Sequence, residues 1–573
     1  MKKIIQILIV LLISTTFSCT KNFTSLNTDP SRFTTTSPES VLTGVYLNTI
    51  NQMETNNIVY LWECGHIVDP SGRYLGGNES TWTTMYINVL GNIEQIKKLY
   101  QGNPAYTNRM AIADMWECYV FAYMVGTYGP IPYSNAFNTS LTVVNYDDEN
   151  TVYTSLLSRL KADAAAVNVN GDKLTTDVIF NGNLTQWIKF ANTLRLRIAL
   201  RVQTNLPTLA ASNIQDVMSN ESMLPTSDAD DAKLTYGTAT GSQSVYYLQL
   251  VQGTSYTGTA TPVMSDYAFT YFRSYKDPRL GAYFQPSAVP FNITDTLTSV
   301  NSALHYIVSY PIPYLGTPKS PVMLAQWDIT TPPFSGATIP NNYSTMQPAL
   351  TAAARPFYIT TYAEVCFMKA EAALNGYGGT QTADQYYYAG INANFAFWGL
   401  TAAQATAYEA QNGIKWSTAG RGFNYDLGFI NTSIPAGNAT KIWIQEWLNY
   451  YDDGAFDAWA LQRRTQNLVL PPHTSPGNNP GENGTYADLP DRWFYPIQSE
   501  VNRNPIGYAN GVKLLGSGGD YVFTHLKIEP AYTPIDWTKV SAFVDYSFVE
   551  KWYGTTIESL QAAGIKYSVL STY

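Results

Sequence analysis

Four histidines, two pairs of acids and a handful of loop aromatics are the residues that could do chemistry in this chain. His66, His305, His473 and His525 never stand three or four residues apart, and there is no His-Glu-x-x-His. Helical metal-ligand spacing is therefore missing, and no metal is expected. No Gly-x-Ser-x-Gly elbow is present, so a serine nucleophile has no frame. Two carboxylates suffice for glycoside hydrolysis, and Asp452-Asp453 or Glu364 with Glu371 could supply them. The first pair precedes Gly454 at a helix end. The second lies on an Ala-rich helix, and both read as structural. Gly76-Gly77 and Gly378-Gly379 lack the lysine and helix start of a phosphate loop. The expectation is a non-enzymatic protein without a cofactor.

Binding chemistry is better represented. Tyr and Trp number 43 and 13, and such rings can stack on the apolar faces of sugars or fill cores. Trp62, Tyr74 and Trp82, with Arg73 and Asn78 as planar polar partners, form one candidate binding group. Tyr314 and Trp327 form a second.

The elements around these residues are mainly helical. Ile112, Met115, Trp116, Tyr119 and Tyr123 recur at three-and-four spacing and predict a helix over 109–125, ended by Gly126. Similar stripes predict helices over 151–167, 185–203, 360–375, 382–396 and 402–412. Another helix starts at Asn438 or Thr440, and a shorter one follows Gly454. In the helix over 185–203, Lys189, Arg195, Arg197 and Arg201 lie mostly off the apolar side. Residues 62–82 read as a loop. Between 206 and 350 the pattern breaks into a loop-rich insertion, where Val245–Val251 and His305–Tyr310 could be strands. A late helix with a capping box from Thr555 to Glu558 is expected in the tail.

The amino terminus carries Lys2 and Lys3, an apolar run from Ile4 to Ile13, and Ser18-Cys19. This is the layout of a lipoprotein signal over 1–18, with acylation of Cys19 and a polar tether over 19–37. Acyl chains gain roughly 0.8 kcal/mol per buried CH2, so two or three hold firmly. A single domain is expected over 38–573, with its helical scaffold at 38–205 and 351–470, and C-terminal loops and an extension at 471–573. The net charge of −9 leaves no electrostatic footprint for nucleic acid. Cys64, Cys118 and Cys366 are too few and too scattered for a disulfide framework.

Seven motifs in order carry a resemblance. Cys19 with Phe23, Leu26, Asn27, Asp29 and Pro30 opens the series. Trp116 and Tyr128-Gly129-Pro130-Ile131-Pro132-Tyr133 follow, then Trp187 through Arg197 and Asp277-Pro278-Arg279-Leu280. Ala363-Glu364 with Lys369-Ala370-Glu371-Ala372 comes next, then Ile442 to Trp447 with Arg463-Arg464-Thr465. Arg492-Trp493-Phe494-Tyr495-Pro496 with Glu500 and Asn504 closes it. Together they resemble the SusD/RagB family of outer-membrane lipoproteins of Bacteroidota, most closely its SusD-like branch. Pro130 stands where that family usually has aspartate.

The resemblance implies a mainly α SusD-like fold of tetratricopeptide-like helix pairs, with a loop-rich ligand-binding face and a few short strands. It implies a lid on a SusC-type TonB-dependent transporter, anchored in the outer membrane, facing the cell exterior and capturing an oligomeric nutrient. A glycan is the first expectation and a peptide the alternative; a surface glycoside hydrolase is the reading from another class. Arg195, Arg197, Arg279 and Arg464, on the matched motifs, are expected to pair with acids or backbone carbonyls as scaffold.

Overall fold

The computed structural model describes residues 38–68, 79–253, 262–288, 291–316, 343–418, 437–466, 490–530, 556–562 and 564–572. Among the described residues the backbone is mostly helical, with three small sheets: β1 (Ile67–Val68) with β3 (Val263–Met264), β2 (Ala232–Thr235) with β6 (Pro356–Thr360), and β4 (Phe291–Ser299) with β5 (Ser302–Ile312) and β7 (Ser568–Thr572).

The helices pack as consecutive pairs. Thr107–Tyr128 lies against Glu149–Ala166, which lies against Leu184–Arg201, which lies against Pro207–Met218. A second run pairs Tyr362–Leu374 with Ala383–Phe397, and Asn438–Asn449 packs on both. Local signals set the starts. Asn183 Oδ1 accepts the backbone N–H groups of Thr185 and Gln186, and the Thr361 side chain accepts that of Glu364. Thr401 and Gln404 form a capping box. Each such cap contributes about 1 kcal/mol. The helix Thr107–Tyr128 stops at Gly129, whose φ of 82° suits glycine and where a Cβ would meet Leu526 at 2.8 Å.

Several expectations change. Thr107–Tyr128 and Leu184–Arg201 are buried nearly all round rather than on one stripe. In the second helix Arg195, Arg197 and Arg201 are themselves buried, because Asp216, Glu364 and Asp457 receive their guanidinium groups. The first helix runs unbroken from Pro38 to Glu63 and so includes Trp62. Asn438 is the first helical residue after Gly437, not a cap. Val245–Val251 is helical, because Glu54 accepts the N–H groups of Val245 and Tyr246 and starts a turn there. In the tail the helix runs Ile557–Ala562, with Thr556 receiving the Ser559 N–H, while Glu558 bonds Ser299 instead of capping.

One large hydrophobic core runs through all the helix pairs, from Leu42 to Ile528. Burial of each large apolar side chain in it contributes about 1.5–3 kcal/mol. Residues between 206 and 350 join it: Tyr267, Tyr271 and Phe272, on the helix Asp266–Ser274, are buried there. A satellite core forms where the hairpin β4 (Phe291–Ser299) and β5 (Ser302–Ile312) pairs with β7 (Ser568–Thr572). Leu297, Val308 and Tyr310 of that hairpin pack with Leu315, Tyr343, Ile557 and Leu560. His305–Tyr310 is thus strand, within β5. Cys64, Cys118 and Cys366 are all buried.

The buried acids give the fold a pH signature. Arg464 Nη1 and Nη2 clamp the Glu371 carboxylate at 2.8 and 2.6 Å. Glu446 stands beside them with its Oε2 3.7 Å from the same arginine, and burial pushes its carboxyl up to about 8. A raised folded-state acid binds more protons than the unfolded chain, so its contribution falls as pH rises through about 8. Glu446→Gln is expected to match the parent at pH 5. At pH 9 it should be more stable by about 1–3 kcal/mol, the cost of an ill-satisfied buried group. Urea midpoints at both pH values check this; equal shifts at both would show that the carboxyl is ionised throughout.

Candidate ligand-binding site

A small node of backbone gathers the ends of three chain segments. Here β1 (Ile67–Val68) pairs antiparallel with β3 (Val263–Met264), Ile67 opposite Met264 and Val68 opposite Val263. Val263 also bridges to Thr345. The Met264 N–H donates to Ser344 O at 2.7 Å, and the Ser344 N–H donates to Leu315 O at 2.9 Å. Ser265 donates its N–H to His66 O and its hydroxyl to Gly65 O. Gly316 completes the approach: a Cβ there would lie 2.4 Å from Ser265 O. Residues 69–78, 254–261 and 317–342 all connect to this node.

The support beneath is stiff. His66 and Trp447 stack with ring centroids 4.3 Å apart. His66 Nε2 lies 3.0 Å from Trp447 O and must donate to it, which leaves Nδ1 to accept the Cys64 thiol at 3.0 Å. Burial pulls the His66 pKa down to about 3, so the ring is neutral. The Trp447 indole donates back to Cys64 O at 2.8 Å.

The sequence candidates divide around this node. Tyr314 is half-buried, two residues before Gly316. Arg73, Tyr74, Asn78 and Trp327 lie outside the described residues, as does Cys19, but they belong to two of the three segments rooted here. Trp62 and Trp82 do not fit a stacking surface. They are 6% and 3% exposed, so neither offers a ring face to a sugar. Trp82 is core: its indole donates to Glu500 Oε1 at 3.0 Å, and Tyr86 and Tyr128 pack on it at 4.8 and 4.9 Å. Its neighbour Tyr146 donates to Glu500 Oε2. Trp82→Ala is therefore expected to cost about 3–5 kcal/mol of stability. Ligand affinity measured on the remaining folded fraction should stay unchanged; lost affinity at full stability would restore Trp82 to the binding face.

The carboxylate pairs are held by arginine. Glu364 takes Arg197 at 2.6 and 2.7 Å, and Glu371 takes Arg464. Asp452 and Asp453 share Arg355. Two groupings with metal-ligand atoms close together also occur, at Asp114, Cys118, Asp163 and at Asp491, His525, Glu529. Each grouping has two members four residues apart, Asp114 with Cys118 and His525 with Glu529, but its third, Asp163 or Asp491, is brought in by the fold from elsewhere in the chain. Arg159 and Lys97 sit on Asp114. His525 Nδ1 lies 2.5 Å from Asp491 and 3.0 Å from Glu529, and these contacts push its pKa up to about 10. The side chains thus already place a cation on each grouping.

The described residues thus form a mainly helical scaffold of tetratricopeptide-like pairs, with the ends of three chain segments meeting at one node. A SusD-like family model, described as starch-binding and associating with the outer membrane, matches residues 30–496, and the chain belongs to that family. The fold is similar to a chitin-binding SusD homolog from Flavobacterium johnsoniae at 21% identity and TM-score 0.66, covering 87% of this chain and all of that one. SusD homologs from Bacteroides uniformis and Bacteroides vulgatus each match at 22% identity and TM-score 0.65. They cover 86% and 87% of this chain and 99% and 98% of theirs. No curated protein matches the sequence significantly. Among the described residues, no helix is long and apolar enough to cross a membrane.

Proposed function

We propose that the chain is a non-catalytic, lipid-anchored protein of the outer membrane that captures an oligomeric nutrient and lids a SusC-type TonB-dependent transporter. A glycan is the ligand this reading favours, with Cys19 as the anchor and the cell exterior as the working side. The carrying observation is the node: three segments that include Arg73, Tyr74, Asn78 and Trp327 share one rigid root beside Tyr314. Stacking rings and planar hydrogen-bonding groups suit a flat, hydroxyl-rich ligand. Chitin binding by the Flavobacterium homolog supports the same ligand class.

The test has two parts. Native outer membranes are solubilised mildly and the protein is recovered through a C-terminal tag; a large barrel in near-equal amount is expected. The complex is then titrated with chitin, starch and peptide oligomers while products are monitored. Glycan binding without turnover supports the reading. Peptide binding alone would change the ligand class, and turnover would remove the non-catalytic assignment. Recovery without a barrel would remove the lid.

A further inference from the structure

The strand β6 (Pro356–Thr360) and the turn at Tyr450–Gly454 enclose a cavity of about 230 Å³, remote in sequence from the loop node. That is room for several waters. Tyr358, Phe397 and Trp398 line its half-buried rim, with the Tyr358 and Phe397 rings 4.7 Å apart edge to face. The buried Arg355 and Asp452 and the half-buried Asp453 line its inner side.

Charge there does not balance. Arg197 and Arg201 face Glu364 and Asp457, two cations against two anions. Arg355 alone faces three acids: Glu54 at 2.9 Å, Asp452 at 2.6 Å and Asp453 at 2.5 Å. Glu54 also accepts two backbone N–H groups, and Asp453 Oδ2 accepts that of Tyr358. Asp452 Oδ1 is the exception. It is buried with no hydrogen-bond partner among the described residues, on a residue only 3% exposed. A buried acceptor left so costs stability unless something donates to it.

We propose that this cavity binds a small organic cation, an ammonium or guanidinium on a short aliphatic chain, whose N–H groups donate to Asp452 Oδ1 while the chain packs against Tyr358, Phe397 and Trp398. Three features select that chemistry. Three acids share one arginine, the vacant group is an acceptor, and aromatic walls attract cations while covering methylene groups. Burial holds the Asp452 carboxyl well above its usual range and Asp453 up to about 6. A bound cation would then take the place of a proton on Asp452.

The probes are n-butylammonium, n-butylguanidinium, the neutral isostere n-butanol and the anion butyrate, titrated calorimetrically into the full chain at pH 7. Either cation should bind at least tenfold tighter than butanol, and butyrate should not bind. Asp452→Asn keeps the shape and should weaken the cations at least tenfold while leaving butanol unchanged. Cations no tighter than butanol, or an Asp452→Asn variant of unchanged affinity, would overturn the proposal. Should that variant fold poorly, the parent protein decides by difference infrared spectroscopy. Saturation with n-butylammonium should convert a protonated carboxyl band to carboxylate, and no conversion would overturn it. Neither glycan nor barrel enters these measurements, so their outcome is independent of the nutrient-lid reading.

Discussion

Arg279→Ala is expected to remove about 3–5 kcal/mol of stability, the penalty for breaking a buried, hydrogen-bonded ion pair from one side. Arg279 is fully buried. Its Nη2 meets Asp277 Oδ2 at 2.6 Å and Gln445 Oε1 at 2.9 Å, and its Nη1 meets Asn394 Oδ1 at 2.9 Å. The Phe395 and Tyr408 rings lie 5.0 and 5.1 Å from the guanidinium carbon. One side chain thus ties the Asp277 turn to three helices, Ala383–Phe397, Ala402–Glu409 and Asn438–Asn449. Truncation leaves Asp277 charged and buried, and strips the donors from Asn394 and Gln445. Arg279→Lys should recover little, because an ammonium cannot reach three acceptors in a plane. Soluble yield and urea midpoint check both variants. A loss below about 1 kcal/mol for the alanine variant would mean that the cluster relaxes around water.

Arg279 was legible in the sequence because Asp277 stands two residues away in the same turn. The pairing of Arg195, Arg197 and Arg464 with acids was legible only through the resemblance of their motifs, since the residues alone placed Arg195 and Arg197 mostly off the apolar side of their helix. The identity of those partners was not, because Glu364 reaches Arg197 across 167 residues. The same distance problem hid the helical turn at Val245–Val251. Its β-branched and aromatic residues favour a strand locally, and the deciding group is a carboxylate 191 residues earlier, on Glu54.

The binding site shows the limit most clearly. Trp62 and Trp82 have the composition of a sugar platform, yet ring type is the same on a platform and in a core. Only tertiary packing separates the two, and Glu500, 418 residues beyond Trp82, supplies the partner that draws its indole inside. Arg355 carried no local signal at all. Its acids lie at 54, 452 and 453, so the cavity beside it could not be read from spacing.

That arginine makes the second large prediction. Arg355→Leu is expected to cost about 3–5 kcal/mol at pH 8, because Glu54, Asp452 and Asp453 would remain buried without a cation. The loss should shrink towards pH 5. With the guanidinium gone, the Asp452 and Asp453 carboxyls move further above their unfolded values, so the native variant binds more protons than its unfolded chain. Stability then falls as pH rises and recovers as pH drops through the folded values. Already in the parent, burial holds Asp453 up to about 6 despite Arg355 beside it. Urea midpoints of parent and variant at pH 5 and pH 8 separate the causes. A deficit equal at both would assign the loss to packing against Tyr246, whose ring centroid lies 5.1 Å from the guanidinium carbon. A deficit that shrinks in acid would assign it to charge. Adding Asp452→Asn to Arg355→Leu removes one of the stranded anions, so the double variant should regain part of the loss at pH 8 and almost none at pH 5. Equal recovery at both would show that Asp452 is ionised across the range, as it is in the unfolded chain.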